Sequence, residues 1–422
     1  FTDAMLNVAG LEVNSVENVV IKAAASVGED GAAFDMSGWN GVNTVAITGA
    51  GAEEAIEVAS AAKDSVTVSA KGVVTLTDKT VAAIVVNTTG DDSEVEVNSG
   101  NANVTVTTAG AGANVAINAA DAAAVTVTTA GEAAAVVIDA ADAGAVTVSV
   151  AGSDVALTAD SADSVSVTGS AAVNLEVADL GAVTLTSLVE VNDADDATDD
   201  ELVQITATVT TVANTELNLT LNGADVALEA TDSDADEVDT DADLTKLNLT
   251  VAAAALGNKL DLTSDTITDI TVAGAGNLEL TVDTSVVADI NASAATGNIS
   301  VTIEGNLTSY AGGAGVDTVT LESLPVEALD ADEEGTGKFA TVIDGGAGDA
   351  DVLVVNAFVA AEAADLGGDV VTDAFSNAIK GFEVLSLTDV DNEAVNAATF
   401  GISYVKLAGD AVGFELTIAN EG

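Results

Sequence analysis

The chain has 422 residues, 69 of them acidic and only 9 basic, all lysine, for a formal charge of -60. Such a chain repels nucleic acid and anionic lipid, whose binding depends on Lys and Arg. With no Cys and no His, it also lacks disulfides, thiolate metal sites, cysteine nucleophiles and any Ser-His-Asp triad.

Apolar residues make up 48% of the chain and recur periodically. Disordered chains lack the apolar content to offset ordering entropy, so the charge reads as a solvated shell around a β core. No run of about 18 apolar residues marks a membrane span. The first residues, Phe1-Thr2-Asp3-Ala4, have neither an initiator Met nor a basic signal region, which reads as a processed product or a fragment.

Alternating triplets begin at Val45-Ala46-Ile47, Val66-Thr67-Val68, Val74-Thr75-Leu76 and Val95-Glu96-Val97. They become regular at Val104-Thr105-Val106, Val125-Thr126-Val127, Val146-Thr147-Val148, Val165-Ser166-Val167 and Val183-Thr184-Leu185. A second series, Val115-Ala116-Ile117, Val136-Val137-Ile138, Val155-Ala156-Leu157 and Val173-Asn174-Leu175, runs in step with it. Each repeat of about 20 residues thus holds two short strands, apolar on one face and small or polar on the other. Links such as Asn118-Ala119-Ala120-Asp121 and Asp139-Ala140-Ala141-Asp142 have turn composition. Ala119 to Ala124 has helical propensity, but the interrupting Val-Thr-Val elements weigh against a helix.

One such repeat cannot bury its apolar face alone; stacking coil on coil builds a continuous core. The predicted fold is all-β, with right-handed parallel β-helix or β-solenoid segments and an inserted acidic β section. The predicted division is a solenoid over 1–190, an acidic linker or inserted subdomain over 191–245, a second solenoid segment over 246–324 and a C-terminal β domain over 325–422. The acidic runs Asp193 to Asp200 and Asp232 to Asp243 have two readings, low-affinity calcium sites or solvated loops. Leu217-Asn218-Leu219 and Val226-Ala227-Leu228 lie between them. Strand patterns resume at Leu247, Leu260, Ile270, Leu278 and Ile299, ahead of the single proline, Pro325.

Two glycine-rich turns carry the candidate chemistry. Gly312-Gly313-Ala314-Gly315-Val316-Asp317-Thr318-Val319-Thr320 fits the nonapeptide G-G-x-G-x-D-x-U-x at every fixed position. Glycines allow the tight turn and expose carbonyl oxygens, and Asp317 adds a carboxylate. A second copy, Asp344-Gly345-Gly346-Ala347-Gly348-Asp349-Ala350-Asp351, departs from the pattern as if one residue were inserted. The plainer reading of each is a turn with an aspartate. The metal reading places oxygen ligands for Ca²⁺ at Gly312, Ala314, Val316, Asp317, Asp344, Gly345, Ala347, Asp349 and Asp351. Carboxylates are too numerous for any pair to stand out as glycosidase machinery, and the chain reads as a structural protein, not an enzyme.

The Gly312–Thr320 segment resembles the repeats-in-toxin (RTX) motif of proteins exported by type I secretion. Phe375-Ser376-Asn377-Ala378-Ile379-Lys380-Gly381-Phe382-Glu383-Val384-Leu385-Ser386-Leu387 is similar to a segment common in such proteins, with an extra Ala between Asn and Ile. The Cys-free, Ala/Thr/Val/Gly/Asp-rich background is similar to Gram-negative S-layer proteins of this export class. The resemblance implies a secreted subunit that self-associates with calcium into a two-dimensional cell-surface lattice. It also implies anchoring to lipopolysaccharide through a region not recognisable here. The alternative is a repetitive RTX-type adhesin or extracellular filament subunit.

Overall fold

The computed structural model describes residues 13–28, 33–36, 39–49, 55–59, 64–78, 81–131, 135–151, 154–169, 172–177, 181–187, 205–211, 215–230, 244–255, 257–284, 288–304, 307–322, 342–356, 378–388, 394–396, 400–402, 404–408 and 415–417. The acidic runs, Pro325 and Phe375 to Asn377 lie outside these. The fold is an all-β parallel solenoid, and the chain divides into two compact units, Phe1–Val212 and Ala213–Gly422.

In the first unit, successive strands alternate between two parallel sheets. One sheet holds Asn18–Ala23, Thr44–Gly49, Ser65–Ala70, Ala83–Thr88, Asn103–Thr108, Ala124–Thr129, Ala145–Ser149, Ser164–Thr168 and Ala182–Thr186. The other runs from Phe34–Asp35 through Glu94–Ser99, Asn114–Asn118, Ala135–Asp139 and Asp154–Ala159 to Ile205–Thr211. The two sequence series are the two sheets. Val104, Val125, Val146, Val165 and Val183 are aligned partners, as are Val115, Val136, Val155 and Val173.

Every second residue points inward, and nearly all of those are apolar and buried, as at Val104/Val106 and Val125/Val127. Burying each Val or Leu contributes about 1.5–3 kcal/mol. The Ala-rich links are corners: Ala119, Ala122, Ala140 and Ala143 are buried, and Ala143 N–H donates to Ala140 at 3.1 Å.

The second unit repeats the plan. Glu216–Asn222 pairs with Lys246–Val251 and Ala224–Ala230 with Asn258–Ser264, so these strands stand in the stack as ordinary coil members. Its sheets continue to Ile379–Lys380 and Tyr404–Ala408. Glycine marks the closest approach of successive coils. A Cβ on Gly297 would lie 2.1 Å from the Gly276 carbonyl oxygen, one on Gly315 2.2 Å from that of Gly297, and one on Gly348 2.4 Å from that of Gly315. This column ends in the two glycine-rich turns.

Candidate cation-binding turns

The turns Gly312–Val316 and Gly345–Ala350 sit one above the other on adjacent coils. Ala311 is aligned with Asp344 on one side of the turn. Thr318 is aligned with Val352 on the other, which puts Asp317 beside Asp351. The second turn has one residue more. Its excess is taken up at Asp349 and Ala350, both exposed. Asp351 is therefore the structural counterpart of Asp317, and Asp349 is the extra residue on the surface. Gly312 N–H donates to the Asp344 carbonyl at 2.8 Å, and Ala347 N–H to that of Gly313 at 2.8 Å.

The nine candidate ligands separate into groups. Ala314, Val316, Ala347 and Asp349 are exposed, Gly312 and Gly345 are buried backbone, and Asp344 is half-buried. Asp344 is held by Lys380 at 3.1 Å and accepts from Gly346 N–H at 3.1 Å. Asp317 and Asp351 are completely buried. Among the described residues no three acidic side chains converge as a metal-binding group, so a cation here would draw chiefly on carbonyl oxygens.

The buried pair belongs to a column that runs through the second unit at the residue before or opening each strand of one sheet. Successive positions are Ala224, Asn258, Leu278, Ile299, Asp317, Asp351 and Glu383. From Ile299 upward, each polar side chain accepts the backbone N–H of the residue below it. Ile299 N–H donates to Asp317 Oδ1 at 3.0 Å, Asp317 N–H to Asp351 Oδ1 at 2.8 Å, and Asp351 N–H to Glu383 Oε2 at 2.8 Å. Asp317 Oδ2 accepts a second bond, from Gly313 N–H, at 2.7 Å. Asn258 plays the same part lower down, its Oδ1 accepting from Gly223 N–H at 2.7 Å. These acceptors satisfy backbone donors that turn away from the sheet ladder at the corner, where an orphan would be costly.

One oxygen is left over. Asp351 Oδ2 is buried without a hydrogen-bond partner, the only carboxylate oxygen so placed among the described residues. The Tyr310 hydroxyl, also buried, feels the charges of Asp317 and Asp351 but makes no hydrogen bond of normal geometry. Burial raises the Asp317 carboxyl above its ordinary range, and the N–H groups of Gly313 and Ile299 offset only part of this. Burial pushes Asp351 up to about 6; the negative charges of Asp317 and Glu383 add to the shift, and the N–H groups of Asp317 and Gly348 offset part of it. Tyr310 is raised as well, by burial first and then by the two aspartates. A cation beside Asp351 would reverse the sign of that environment.

The sequence points to both turns and to both aspartates. It does not point to Tyr310, which lies across the coil on the opposite strand Leu307–Ala311, or to Glu383 as the acceptor for Asp351. The 18- to 34-residue spacings of the column vary with turn length, so no fixed period reveals it.

No family model, curated protein or solved structure matches this chain. Among the described residues no helix is long and apolar enough to cross a membrane.

Proposed function

We propose that the chain is a structural subunit of a calcium-dependent, two-dimensional cell-surface lattice of the S-layer kind, exported by type I secretion. The observation that carries the calcium reading is Asp351 Oδ2, a buried carboxylate oxygen with no partner beneath two stacked glycine-rich turns. The residues fit one hard cation better than a row of them. Both oxygens of Asp317 are engaged by backbone N–H groups, whereas Asp351 has one oxygen to give. Asp351 and the carbonyl oxygens of the Gly312–Val316 and Gly345–Ala350 turns would hold the ion, which is the oxygen-rich donor set calcium takes.

The rest of the molecule supports assembly. A stack of near-identical coils offers long, repetitive, rigid surfaces. A charge of -60 keeps copies apart until cations screen or bridge the carboxylates. Lipopolysaccharide anchoring stays part of the proposal, through a region other than these turns. Negative-stain microscopy and light scattering of the purified protein, with calcium and with chelator, test the reading. Ordered sheets in millimolar calcium that disperse in chelator are expected. Particles that stay monomeric across that range overturn it, and end-to-end filaments without a sheet favour the adhesin or filament alternative.

A further inference from the structure

One face of the first unit carries no charge over eight strands; Lys22 of Asn18–Ala23 lies at its end, beside Thr48, and exposed Asp64 and Asp163 precede two of its strands. Eight strands of one sheet, from Thr44–Gly49 to Ala182–Thr186, turn outward only Thr, Ser, Asn, Ala and a single Val, Val85. Five consecutive coils present the pairs Thr105/Thr107, Thr126/Thr128, Thr147/Ser149, Ser166/Thr168 and Thr184/Thr186. The opposite sheet of the same coils turns out Glu57, Glu94, Glu96, Asp139, Asp154 and Glu176. With 69 acidic residues in 422, a neutral face of this extent stands apart from the rest of the chain.

The face is also regular. Val45, Val66, Ile84, Val104, Val125, Val146, Val165 and Val183 are aligned partner to partner with no register shift. Strands about 4.8 Å apart, with outward residues about 6.7 Å apart along each, make a two-dimensional grid of methyl and hydroxyl groups. Threonine side chains are stiff at χ1, and most here are half-buried against one another, so little freedom remains to be lost on contact.

We propose that this face is a self-association surface, on which a second copy of the chain packs face to face. Charge decides for a second copy: two strongly acidic molecules meet at least cost where neither carries charge, because like charges brought together across an interface cost several kcal/mol. Spacing agrees, since a grid is commensurate with itself in both directions. Area agrees too: eight strands and three outward positions span roughly 35 by 17 Å, about 600 Å² per partner, which reaches the lower end of specific interfaces. The inference deepens the assembly reading by naming one contact between copies, and it needs no calcium.

Sedimentation velocity of the full chain in chelator, at about physiological ionic strength, tests it. The wild-type chain is expected to dimerise. Thr126→Asp/Thr147→Asp is expected to weaken the dimer by on the order of 100-fold or more, and Ala116→Asp/Ala156→Asp on the opposite sheet to leave it intact. Circular dichroism should show all three folded. Mixing the Asp variant with Thr126→Lys/Thr147→Lys should restore a heterodimer, a rescue that misfolding would not give. A monomeric wild type, or a dimer indifferent to the Asp pair, overturns the inference. So does a monomer that adsorbs to ice or a neutral glycan through the same threonines, since the face then serves another partner. A calcium lattice without the dimer defeats this inference alone; a dimer without any lattice defeats the assembly reading alone.

Discussion

The backbone N–H of Asp317 donates to the Asp351 carboxylate at 2.8 Å across two adjacent coils, so the second aspartate caps the first while its other oxygen stays unpaired. One carboxylate thereby serves the fold with Oδ1 and remains open to a cation with Oδ2.

Asp351→Asn separates these duties. The amide oxygen still accepts from Asp317, and the buried charge is gone. In chelator at neutral pH the variant should melt no lower than the wild-type chain. In calcium the wild-type chain should gain about 2.7 kcal/mol once the ion reaches 100 times its dissociation constant, and the variant should gain little. Thermal melts with and without calcium check this; equal gains in both proteins would remove Asp351 from the site.

Acidification should favour the metal-free fold through the same group. The folded pKa of Asp351 lies at about 6, above its ordinary 3.8, so the folded state holds the proton more tightly than the unfolded chain. Its contribution is fully present below about pH 4 and is lost as pH rises through about 6, a change of up to about 3 kcal/mol. Other carboxylates titrate in this window, so the measurement is the stability difference between wild type and Asp351→Asn from pH 4 to 7. That difference should move in favour of the wild type as pH falls.

Asn258→Leu should loosen the lower part of the same column. Asn258 accepts from Gly223 N–H and donates to the carbonyls of Ala252 and Asn277 at 3.1 and 3.0 Å. Leucine suits the apolar neighbours Ala224 and Leu278 but leaves buried Gly223 N–H without its acceptor, at a cost of about 1–3 kcal/mol. Hydrogen exchange over 216–230 should speed up accordingly; unchanged protection there would argue that the bond to Gly223 contributes nothing.

Gly297→Ala should separate two coils. Its Cβ would meet the Gly276 carbonyl oxygen at 2.1 Å, where only backbone movement relieves the clash, and overpacking of this kind costs about 1–3 kcal/mol. Ala295→Gly, two residues away on the strand Ala288–Ala295, serves as a control for loss of β propensity. Denaturant unfolding of both variants distinguishes a steric effect from a conformational one.

The candidate site was half legible in the sequence. The nonapeptide names Asp317 outright, but the second turn contains both Asp349 and Asp351, and spacing alone makes either a candidate. The aligned strands on each side of the turn place Asp351 beside Asp317 and leave the one surplus residue in solvent. Tyr310 and Glu383 carry no local signal: Tyr310 sits on the strand that enters the first turn, in no ligand position of the nonapeptide, and Glu383 meets Asp351 only after the chain has wound through a further coil.

What the sequence determined by itself is the repeat: Val104, Val125, Val146, Val165 and Val183 mark a stack because one apolar row per strand has no other way to be buried. It also determined the charge of -60. Only the tertiary structure decided which face is uncharged and which oxygen lacks a partner. Outward Thr126 and outward Glu96 are equally compatible with an alternating strand. It is the winding of the coil that gathers the uncharged outward residues of eight strands on one side and carboxylates such as Glu96 on the other, and that buries Asp351 Oδ2 without a hydrogen bond.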